Sequence, residues 1–249
     1  MAVRLLHPCP LFMVDLIDEK FGMDENHFKF LRREIDEMRK NDPKGRKVSN
    51  AGQSGWQSVD GIDKHPAFGK LWKGVKEYIY EDVWSFWGLS KNHGHVIDLH
   101  NSWANINEKG AWNRPHKHNG CWMSGALYIQ AEGDEGDFVA MTDTSKVMGD
   151  FPTTPRMNDA ERFQPRTGML FMFPSGLTHM VEPNLTDNPR YSISFNMGIQ
   201  YKLKGPHQLG QQQAELYNSG DILVGYSENE LLFDITPQGK LIQVSTAED

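Results

Sequence analysis

Cysteine is scarce in this sequence of 249 residues, which contains only Cys9 and Cys121. The two are far apart, and neither belongs to a Cys-x-x-Cys pair. Their scarcity excludes a disulfide framework and a thiolate zinc site, because both require several suitably spaced cysteines. It also fits a reducing compartment, so we expect a cytoplasmic protein.

Long hydrophobic runs are also absent. No stretch approaches the roughly 20 apolar residues that a membrane-spanning helix requires. The apolar stretch at the N-terminus is too short for a signal peptide, and Pro8 interrupts it early. We therefore predict a protein without a membrane partner.

Positive charge is in deficit, since 26 Lys and Arg residues are set against 33 Asp and Glu residues, for a formal net charge of -7. Proteins that bind duplex nucleic acid usually present a basic face. The densest basic stretch, residues 32–46, is interleaved with acidic residues, as is typical of a solvated helix face. The charge balance therefore argues against duplex nucleic acid as a partner.

Two segments near the N-terminus have helical periodicity. Apolar residues follow Asp24 at helical spacing, which predicts a helix that has Asp24 as its N-cap and ends before residue 41. The same pattern predicts a second helix from Pro66 to Phe86. Residues 49–63 between them are rich in Gly, Ser, Asn and Gln, so we predict a loop long enough to act as a lid.

Short strands are predicted after Gly88, at residues 95–106, 122–130, 169–173 and 191–203. Helices followed by many strands predict an α+β domain, mainly β, with a sandwich or barrel core. We place this domain at residues 1–204, including the N-terminal helices. Residues 205–249 are predicted to be a C-terminal extension that packs on the core or forms a subunit contact, which makes a homodimer a candidate assembly.

Three histidines and an Arg-x-Ser pair are the residues most suggestive of chemistry. His116 and His118 are one residue apart, and residues i and i+2 of an extended segment point to the same face. Further along, an apolar strand leads to His179, and Arg190 and Ser192 alternate on the next predicted strand. Each motif alone is common in ordinary strands, but their combination in this order indicates a site.

Non-haem Fe(II) oxygenases need these residue types together. Such an enzyme holds the metal by three protein ligands on one face and leaves the opposite positions open. A 2-oxo acid chelates the metal through its keto oxygen and one carboxylate, so its far carboxylate needs a buried Arg as counter-charge. We therefore predict His116, His118 and His179 as metal ligands, with Arg190 and Ser192 binding the co-substrate.

The sequence resembles a family of 2-oxoglutarate-Fe(II) oxygenases related to the prolyl-hydroxylase-like enzymes. The resemblance extends from about residue 8 to about residue 200 and rests on several blocks in the same order. The blocks are Ser49-Asn50 with Gly55-Trp56-Gln57-Ser58, Trp103-Ala104-Asn105-Ile106-Asn107 with Gly110, Pro115-His116-Lys117-His118, Ser124-Gly125-Ala126-Leu127-Tyr128-Ile129, Gly168-Met169-Leu170-Phe171-Met172-Phe173-Pro174-Ser175, and finally His179, Pro183, Arg190 and Ser192-Ile193-Ser194-Phe195-Asn196.

This resemblance implies a double-stranded β-helix, or jelly-roll, core that uses Fe(II), 2-oxoglutarate and O2. It implies an oxygenase that releases succinate and CO2, and we expect the reaction to be hydroxylation. The resemblance does not identify the substrate, which we expect to be a small molecule or a peptidyl side chain.

One position departs from the wider superfamily, which usually has His-x-Asp or His-x-Glu where this chain has His118. Three interpretations are open. His118 replaces the carboxylate, one of the two histidines contacts substrate or co-substrate, or a later acidic residue supplies the ligand, the candidates being Asp134, Glu135, Asp137 and Asp143. We favour the first, because the later acidic residues lie in a Gly-rich turn that we predict to be solvated.

Other polar residues are weaker candidates. Tyr128 faces either the cavity, where its hydroxyl can bond the co-substrate, or the core of the sheet. Asn105 and Asn196 are candidates for the co-substrate pocket. A second histidine cluster is expected to be structural and consists of His93, His95 and His100.

Two other functions remain open at this point. A cupin-type metalloenzyme would use the same three histidines without 2-oxoglutarate, and Arg190 and Ser192 would then have no assigned role. A non-enzymatic jelly-roll binding module would bind no metal tightly and would tolerate the loss of His179.

Overall fold

The computed structural model describes residues 9–46, 50–51, 55–90, 94–141, 160–201, 231–235 and 241–246. These residues fall into two compact units, one within residues 1–78 and 97–198 and the other within residues 79–96 and 199–249. The boundary expected at residue 204 stays a prediction, and most of the C-terminal extension lies outside the described residues.

β-Strands are the most frequent regular structure in the described residues. The strands are β1 (Phe12–Asp15), β2 (Asn50–Ala51), β3 (Gly55–Gln57), β4 (His95–Asn107), β5 (Trp112–His116), β6 (Met123–Gln130), β7 (Phe138–Met141), β8 (Ala160–Phe163), β9 (Met169–Pro174), β10 (Thr178–Val181), β11 (Arg190–Tyr201), β12 (Leu231–Ile235) and β13 (Leu241–Thr246). One sheet has the order β1-β9-β6-β11-β4-β3 and a second the order β2-β5-β10-β7-β8. Strands β12 and β13 pair with each other.

An aromatic core joins the two larger sheets. Phe138 on β7 lies 5.2 Å from Phe171 and 5.3 Å from Phe173 between ring centroids, and both of those residues are on β9. Tyr128 on β6 completes the group, 5.6 Å from Phe171. Burial of each of these aromatic side chains stabilises the fold by about 1.5–3 kcal/mol. Two mainly antiparallel sheets that share one apolar core form a jelly roll, as the sequence predicts.

The predicted helices are present. Helix α1 (Glu25–Asn41) begins at the predicted N-cap, because the Asp24 side chain accepts a hydrogen bond from the His27 backbone N–H at 2.8 Å. Its buried face packs against β6. The predicted helix at 66–86 consists of a 3-10 turn (Pro66–Phe68), α2 (Gly69–Tyr78), a π turn (Ile79–Val83) and α3 (Trp84–Phe86). No helix in the described ranges is long and apolar enough to cross a bilayer.

The predicted loop and lid at residues 49–63 is wrong for residues 50–51 and 55–57, which form strands, whereas residues 58–61 have no regular secondary structure. Trp56 and Gln57 lie on β3, which pairs with β4. The Ser58 backbone N–H donates to the Ala104 carbonyl at 2.9 Å, and the Ser58 hydroxyl accepts from the Ala104 N–H at 3.0 Å. These polar groups are buried because β4 satisfies their hydrogen bonds, so the segment is the edge of a sheet. Ser49 lies outside the described residues.

Candidate metal centre

The three predicted metal ligands lie together at one end of the second sheet. His116 ends β5 and is the cross-strand partner of His179 on β10. His118 lies just beyond β5, where its backbone N–H donates to the Ser175 carbonyl at 2.9 Å. One possible ligand atom from each histidine lies within 4.8 Å of the other two. Because His118 lies outside β5, strand alternation does not position its ring. The backbone hydrogen bond to Ser175 holds the residue beside the other two histidines.

Backbone carbonyl groups orient two of the three rings. His116 Nδ1 lies 2.6 Å from the Arg114 carbonyl oxygen, and His179 Nδ1 lies 3.0 Å from the Leu177 carbonyl oxygen. A carbonyl oxygen only accepts hydrogen bonds, so Nδ1 carries the proton in each ring. The Nε2 lone pairs are then free for a metal ion.

Burial keeps His118 and His179 neutral. His179 is only 5% exposed and packs between Phe138 and Phe173, at centroid distances of 5.6 and 4.5 Å. Burial first, and then the nearby His116, lower the pKa of His179 to about 3. The same two causes lower the pKa of His118 to about 4. Because neutral imidazole is the form that binds metal, neither residue has to lose a proton at neutral pH.

A cavity of about 40 Å³, called the inner cavity below, is lined by the three histidines and by the jelly-roll interior. Four of the five predicted co-substrate residues line it, namely Asn105, Tyr128, Arg190 and Ser192. Tyr128 also belongs to the aromatic core, so it borders both the cavity and the core of the sheet, the two alternatives that the sequence left open. The structure thus brings these residues and the metal candidates to one space.

Among the described residues, Arg190 is the only Lys or Arg that lines the inner cavity, and it is 2% exposed. Its Nη1 atom donates to the backbone carbonyls of Glu135, Gly136 and Glu182. Its Nη2 atom is buried and has no hydrogen-bond partner among the described residues. Burial lowers the pKa of Arg190, an effect that Tyr128 and Glu135 oppose. A buried donor left without a partner is costly, so this atom is suited to a ligand with an anionic oxygen.

The Gly-rich turn that contains Glu135 was predicted to be solvated, and this prediction is wrong for Glu135. Glu135 is fully buried rather than solvated, and its carboxylate accepts hydrogen bonds from the backbone N–H groups of Glu132 and Gly133. Gly136 has a φ of +96°, and a Cβ there would lie 2.5 Å from the Glu182 carbonyl oxygen. This close approach requires glycine and places backbone carbonyls around Arg190.

No carboxylate joins the histidine cluster in the part of the chain that the structure describes. The Glu135 carboxylate is already used by backbone N–H groups, and Asp134 is exposed. Asp143 lies outside the described residues. Among the described acidic candidates for the third ligand, none lies in the histidine cluster as His118 does.

Asn196 is the one predicted co-substrate residue that lies elsewhere. It lines a second space of about 510 Å³, called the outer cleft below, together with Arg46, Gln57, Asn101, Arg114 and Lys117. Trp103, His116 and His118 line both spaces, so the histidine cluster stands at their border. The basic residues of the outer cleft were not predicted, although Lys117 lies between the two histidines of the motif and Arg114 lies two residues before His116.

The second histidine cluster does not form a metal-site geometry in the described ranges. His95 is buried, and its Nδ1 atom lies 3.0 Å from the Ser90 carbonyl oxygen. His100 lies 3.4 Å from an Asp98 carboxylate oxygen. His93 lies outside the described residues.

Comparison with known families identifies the segment that contains the site. Residues 101–196 match the family model described as "Putative 2OG-Fe(II) oxygenase". This segment belongs to the 2OG-Fe(II) oxygenase family. All the predicted site residues lie within the matched range. The match bears out the predicted family and oxygenase class for this segment, and the description of that family names Fe(II) and 2-oxoglutarate.

Solved structures are similar to this chain in fold. A Trichoplax adhaerens prolyl hydroxylase, in complex with a hypoxia-inducible-factor peptide fragment, is 13% identical with a TM-score of 0.54, and the alignment covers 76% of this chain and 83% of that chain. A Pseudomonas putida prolyl-4-hydroxylase is 15% identical with a TM-score of 0.49, covering 76% and 91%. The first of these shows the double-stranded β-helix that the sequence predicts. No curated protein matches the chain.

Proposed function

We propose that this chain holds Fe(II) through His116, His118 and His179 and hydroxylates a small-molecule or peptidyl substrate with 2-oxoglutarate and O2. Succinate and CO2 are the co-products. One observation carries the proposal. The buried Arg190 Nη2 atom, which has no partner in the described structure, belongs to a residue that lines the same cavity as the three histidines. A cupin-type enzyme that does not use 2-oxoglutarate gives this atom no role.

The histidines suit Fe(II) by their chemistry. Imidazole is a common ligand of this ion, and the two carbonyl contacts to Nδ1 fix the tautomer in which Nε2 binds. Bound Fe(II) and 2-oxoglutarate supply the activation of O2 needed to hydroxylate a C–H bond. The rings of Phe138 and Phe173 around His179 keep water from that side of the centre.

Arg190 receives the far carboxylate of 2-oxoglutarate in this proposal. Nη2 donates to the carboxylate, while Nη1 stays bonded to the backbone and keeps the guanidinium group in place. The hydroxyl groups of Ser192 and Tyr128 line the same cavity and assist. Asn105 donates through Nδ2 to the Ser194 hydroxyl at 3.2 Å, and its buried Oδ1 has no partner in the described structure. We assign Asn196 to the substrate side, because it lines the outer cleft.

The size of the inner cavity adds a requirement. A volume of about 40 Å³ holds the centres of about three or four water molecules, at about 10–15 Å³ for each. A five-carbon dicarboxylate needs more room, so we expect side chains that line the cavity to move when it binds.

His118 serves as the third ligand in place of a carboxylate. Three neutral ligands leave the full charge of the metal ion, whereas a carboxylate would cancel one unit of it. The fully charged site strengthens the attraction for the chelating carboxylate of 2-oxoglutarate. An acidic substitution at His118 should therefore retain the metal but weaken co-substrate binding.

The test compares three acids on Mn(II)-loaded protein by isothermal titration calorimetry. Glutarate has both carboxylates but lacks the keto oxygen, and 2-oxobutanoate can chelate but lacks the far carboxylate. We expect 2-oxoglutarate to bind at least tenfold more tightly than either acid. His179→Ala should abolish its advantage over glutarate. Equal binding of all three acids to the wild-type protein would contradict the proposal.

The proposal extends to location. Cys9 and Cys121 are both free thiols, in keeping with a reducing compartment, and we propose the cytoplasm.

A further inference from the structure

The outer cleft differs in charge from the rest of the molecule. The sequence has a formal net charge of -7, yet the charged side chains that line this cleft are Arg46, Arg114, Lys117 and one carboxylate, Asp60. Asp60 is paired with Arg46 at 3.1 Å. Arg114 and Lys117 form no ion pair with any acidic residue in the described ranges. The cleft therefore has two uncompensated positive charges beside the histidine cluster.

The cleft also contains fixed amide groups. The Ser124 hydroxyl donates to Asn196 Oδ1 at 2.7 Å, and Asn196 Nδ2 donates to Asn101 Oδ1 at 2.9 Å. This chain of hydrogen bonds fixes the orientation of both amides at the wall of the cleft. A ligand therefore meets polar groups that are already in position, which lowers the entropy cost of binding.

Gln57 provides an independent indication of a ligand. It lines the same cleft and is 4% exposed, and its Oε1 atom is buried without a hydrogen-bond partner among the described residues. A buried carbonyl oxygen of this kind needs a donor, because an unsatisfied acceptor costs free energy. A ligand for this cleft should therefore carry an O–H or N–H group as well as negative charge.

We infer that the outer cleft binds the substrate, and that the substrate is a small organic anion with a carboxylate or phosphate group and at least one O–H or N–H donor. The acid group lies at Arg114 and Lys117, and the donor faces Gln57. The volume of about 510 Å³ is in the range of small-molecule sites. Since His116 and His118 line the cleft, a ligand bound there lies beside two of the proposed metal ligands. The assignment as substrate rests on the proposed function, but the preference for anions does not.

The experiment uses matched pairs of small molecules that differ in one acid group. Ribose 5-phosphate is compared with ribose, and aspartate with asparagine, by calorimetric titration of the full chain. Each titration is done once on the metal-free protein and once on protein loaded with Fe(II) and saturating 2-oxoglutarate without O2. The first pair tests a phosphate and the second a carboxylate. An acetylated, amidated tripeptide with a central Asp represents a peptide substrate.

The charge-reversal variant Arg114→Glu/Lys117→Glu has a matched control. Lys73→Glu/Lys76→Glu changes the net charge equally on exposed positions of α2, away from the residues that line the cleft. Arg114→Lys/Lys117→Arg keeps both charges. We expect the acidic member of at least one pair to bind tenfold or more tightly than its neutral partner. That preference should disappear with charge reversal and persist in the other two variants.

The outcomes separate the two proposals. If anions bind both forms of the protein through Arg114 and Lys117 but 2-oxoglutarate binding does not depend on His179, the anion preference of the cleft stands, whereas the proposed function and the assignment as substrate fail. The inference is overturned if no pair shows a preference for its acidic member, if charge reversal leaves that preference intact, or if the tripeptide binds more tightly than every small anion.

Discussion

Arg190 has two terminal nitrogen atoms in different surroundings, and this difference is the basis for its assignment. Nη1 is bonded to backbone carbonyls of a tight turn and of Glu182, whereas Nη2 has no partner in the described structure. A residue with only a structural role would be expected to use both nitrogens in the same way. The free atom points to an anionic ligand.

Removing the Arg190 charge should therefore weaken co-substrate binding. In Arg190→Met, we expect the KM for 2-oxoglutarate to rise by about 10- to 100-fold, because a charge-assisted hydrogen bond contributes about 1.5–3 kcal/mol. Ser192→Ala on the same strand should raise it only a few-fold. Initial rates of succinate formation at varied 2-oxoglutarate give both values. Arg190→Lys and thermal melting show whether the fold survives, and an unchanged KM in a folded Arg190→Met protein would contradict the assignment.

The neutral state of His179 predicts how the metal-free protein responds to acid. The pKa of His179 is about 3 in the folded chain against an ordinary value of 6.5. Below pH 6.5 the unfolded chain gains a proton at this residue that the folded chain does not, so stability falls as pH drops from 6.5 towards 3. At pH 5 this loss is about 2 kcal/mol relative to neutral pH.

Urea unfolding of the metal-free protein at pH 7 and pH 5 measures this loss. His179→Gln should lose about 2 kcal/mol less between the two pH values than the wild type. The exposed His100→Gln variant should retain the full wild-type dependence. If His179→Gln lost as much stability as the wild type, His179 would not be the buried neutral group described above.

At the scale of the elements, β6 and β11 approach each other closely at one glycine. Gly125 on β6 is the cross-strand partner of Phe195 on β11, and a Cβ at Gly125 would lie 2.2 Å from the Phe195 ring. Trp72 on α2 holds the other side of this ring, 5.2 Å away between centroids. The ring therefore has little room to move away from an added methyl group.

Gly125→Ala should accordingly destabilise the protein by about 1–3 kcal/mol, the usual cost of overpacking a core. In Phe195→Leu, which gives more room, the same substitution should cost less, so that a double-mutant cycle shows coupling. Gly69→Ala is the matched control, since it lies in a helix with nothing within 4 Å of an added Cβ and should be neutral or stabilising. Equal effects at Gly125 in both backgrounds would show that Phe195 is not the obstacle.

Local patterns were sufficient to predict most of the regular elements and the residues that the structure brings together at the candidate site. Helix α1 follows from its cap and apolar spacing, and the long strands follow from their alternation. One centre was indicated by the order of four residues along the chain, namely His116, His118, His179 and Arg190. Each lies on or beside a strand, and the fold brings those strands together.

What the sequence did not predict depends on partners that are distant along the chain. Glu135 is buried because its turn packs against Glu182 and holds Arg190. Gln57 and Ser58 are buried because β4 covers a segment whose composition predicts a loop. In both cases tertiary hydrogen bonds override a composition typical of solvated turns.

At the scale of the whole molecule, the metal should stabilise the fold. His116 lies on β5, His118 just after it, and His179 on β10. An ion that binds all three therefore links two strands of the second sheet. A ligand at 100 times its Kd contributes about 2.7 kcal/mol. For a chain of this size, that corresponds to about 5–10 °C in Tm.

Thermal melting with and without Mn(II) measures this stabilisation. We expect the wild-type Tm to rise by about 5–10 °C at saturating Mn(II). His179→Ala should show little or no rise, whereas His100→Gln should behave as the wild type. An equal rise in His179→Ala would mean that Mn(II) binds elsewhere.

The central claim is that three histidines hold an Fe(II) ion to which 2-oxoglutarate chelates. Anaerobic titration of the purified chain with Fe(II) and then 2-oxoglutarate tests it most directly, through the weak visible charge-transfer band of the chelate. We expect the band in the wild-type protein, its loss in His118→Ala and His179→Ala, and its return in His118→Asp at a higher 2-oxoglutarate concentration. A wild-type protein that binds Fe(II) but develops no band, or a full band in His179→Ala, would show that these histidines do not hold an iron ion to which 2-oxoglutarate chelates.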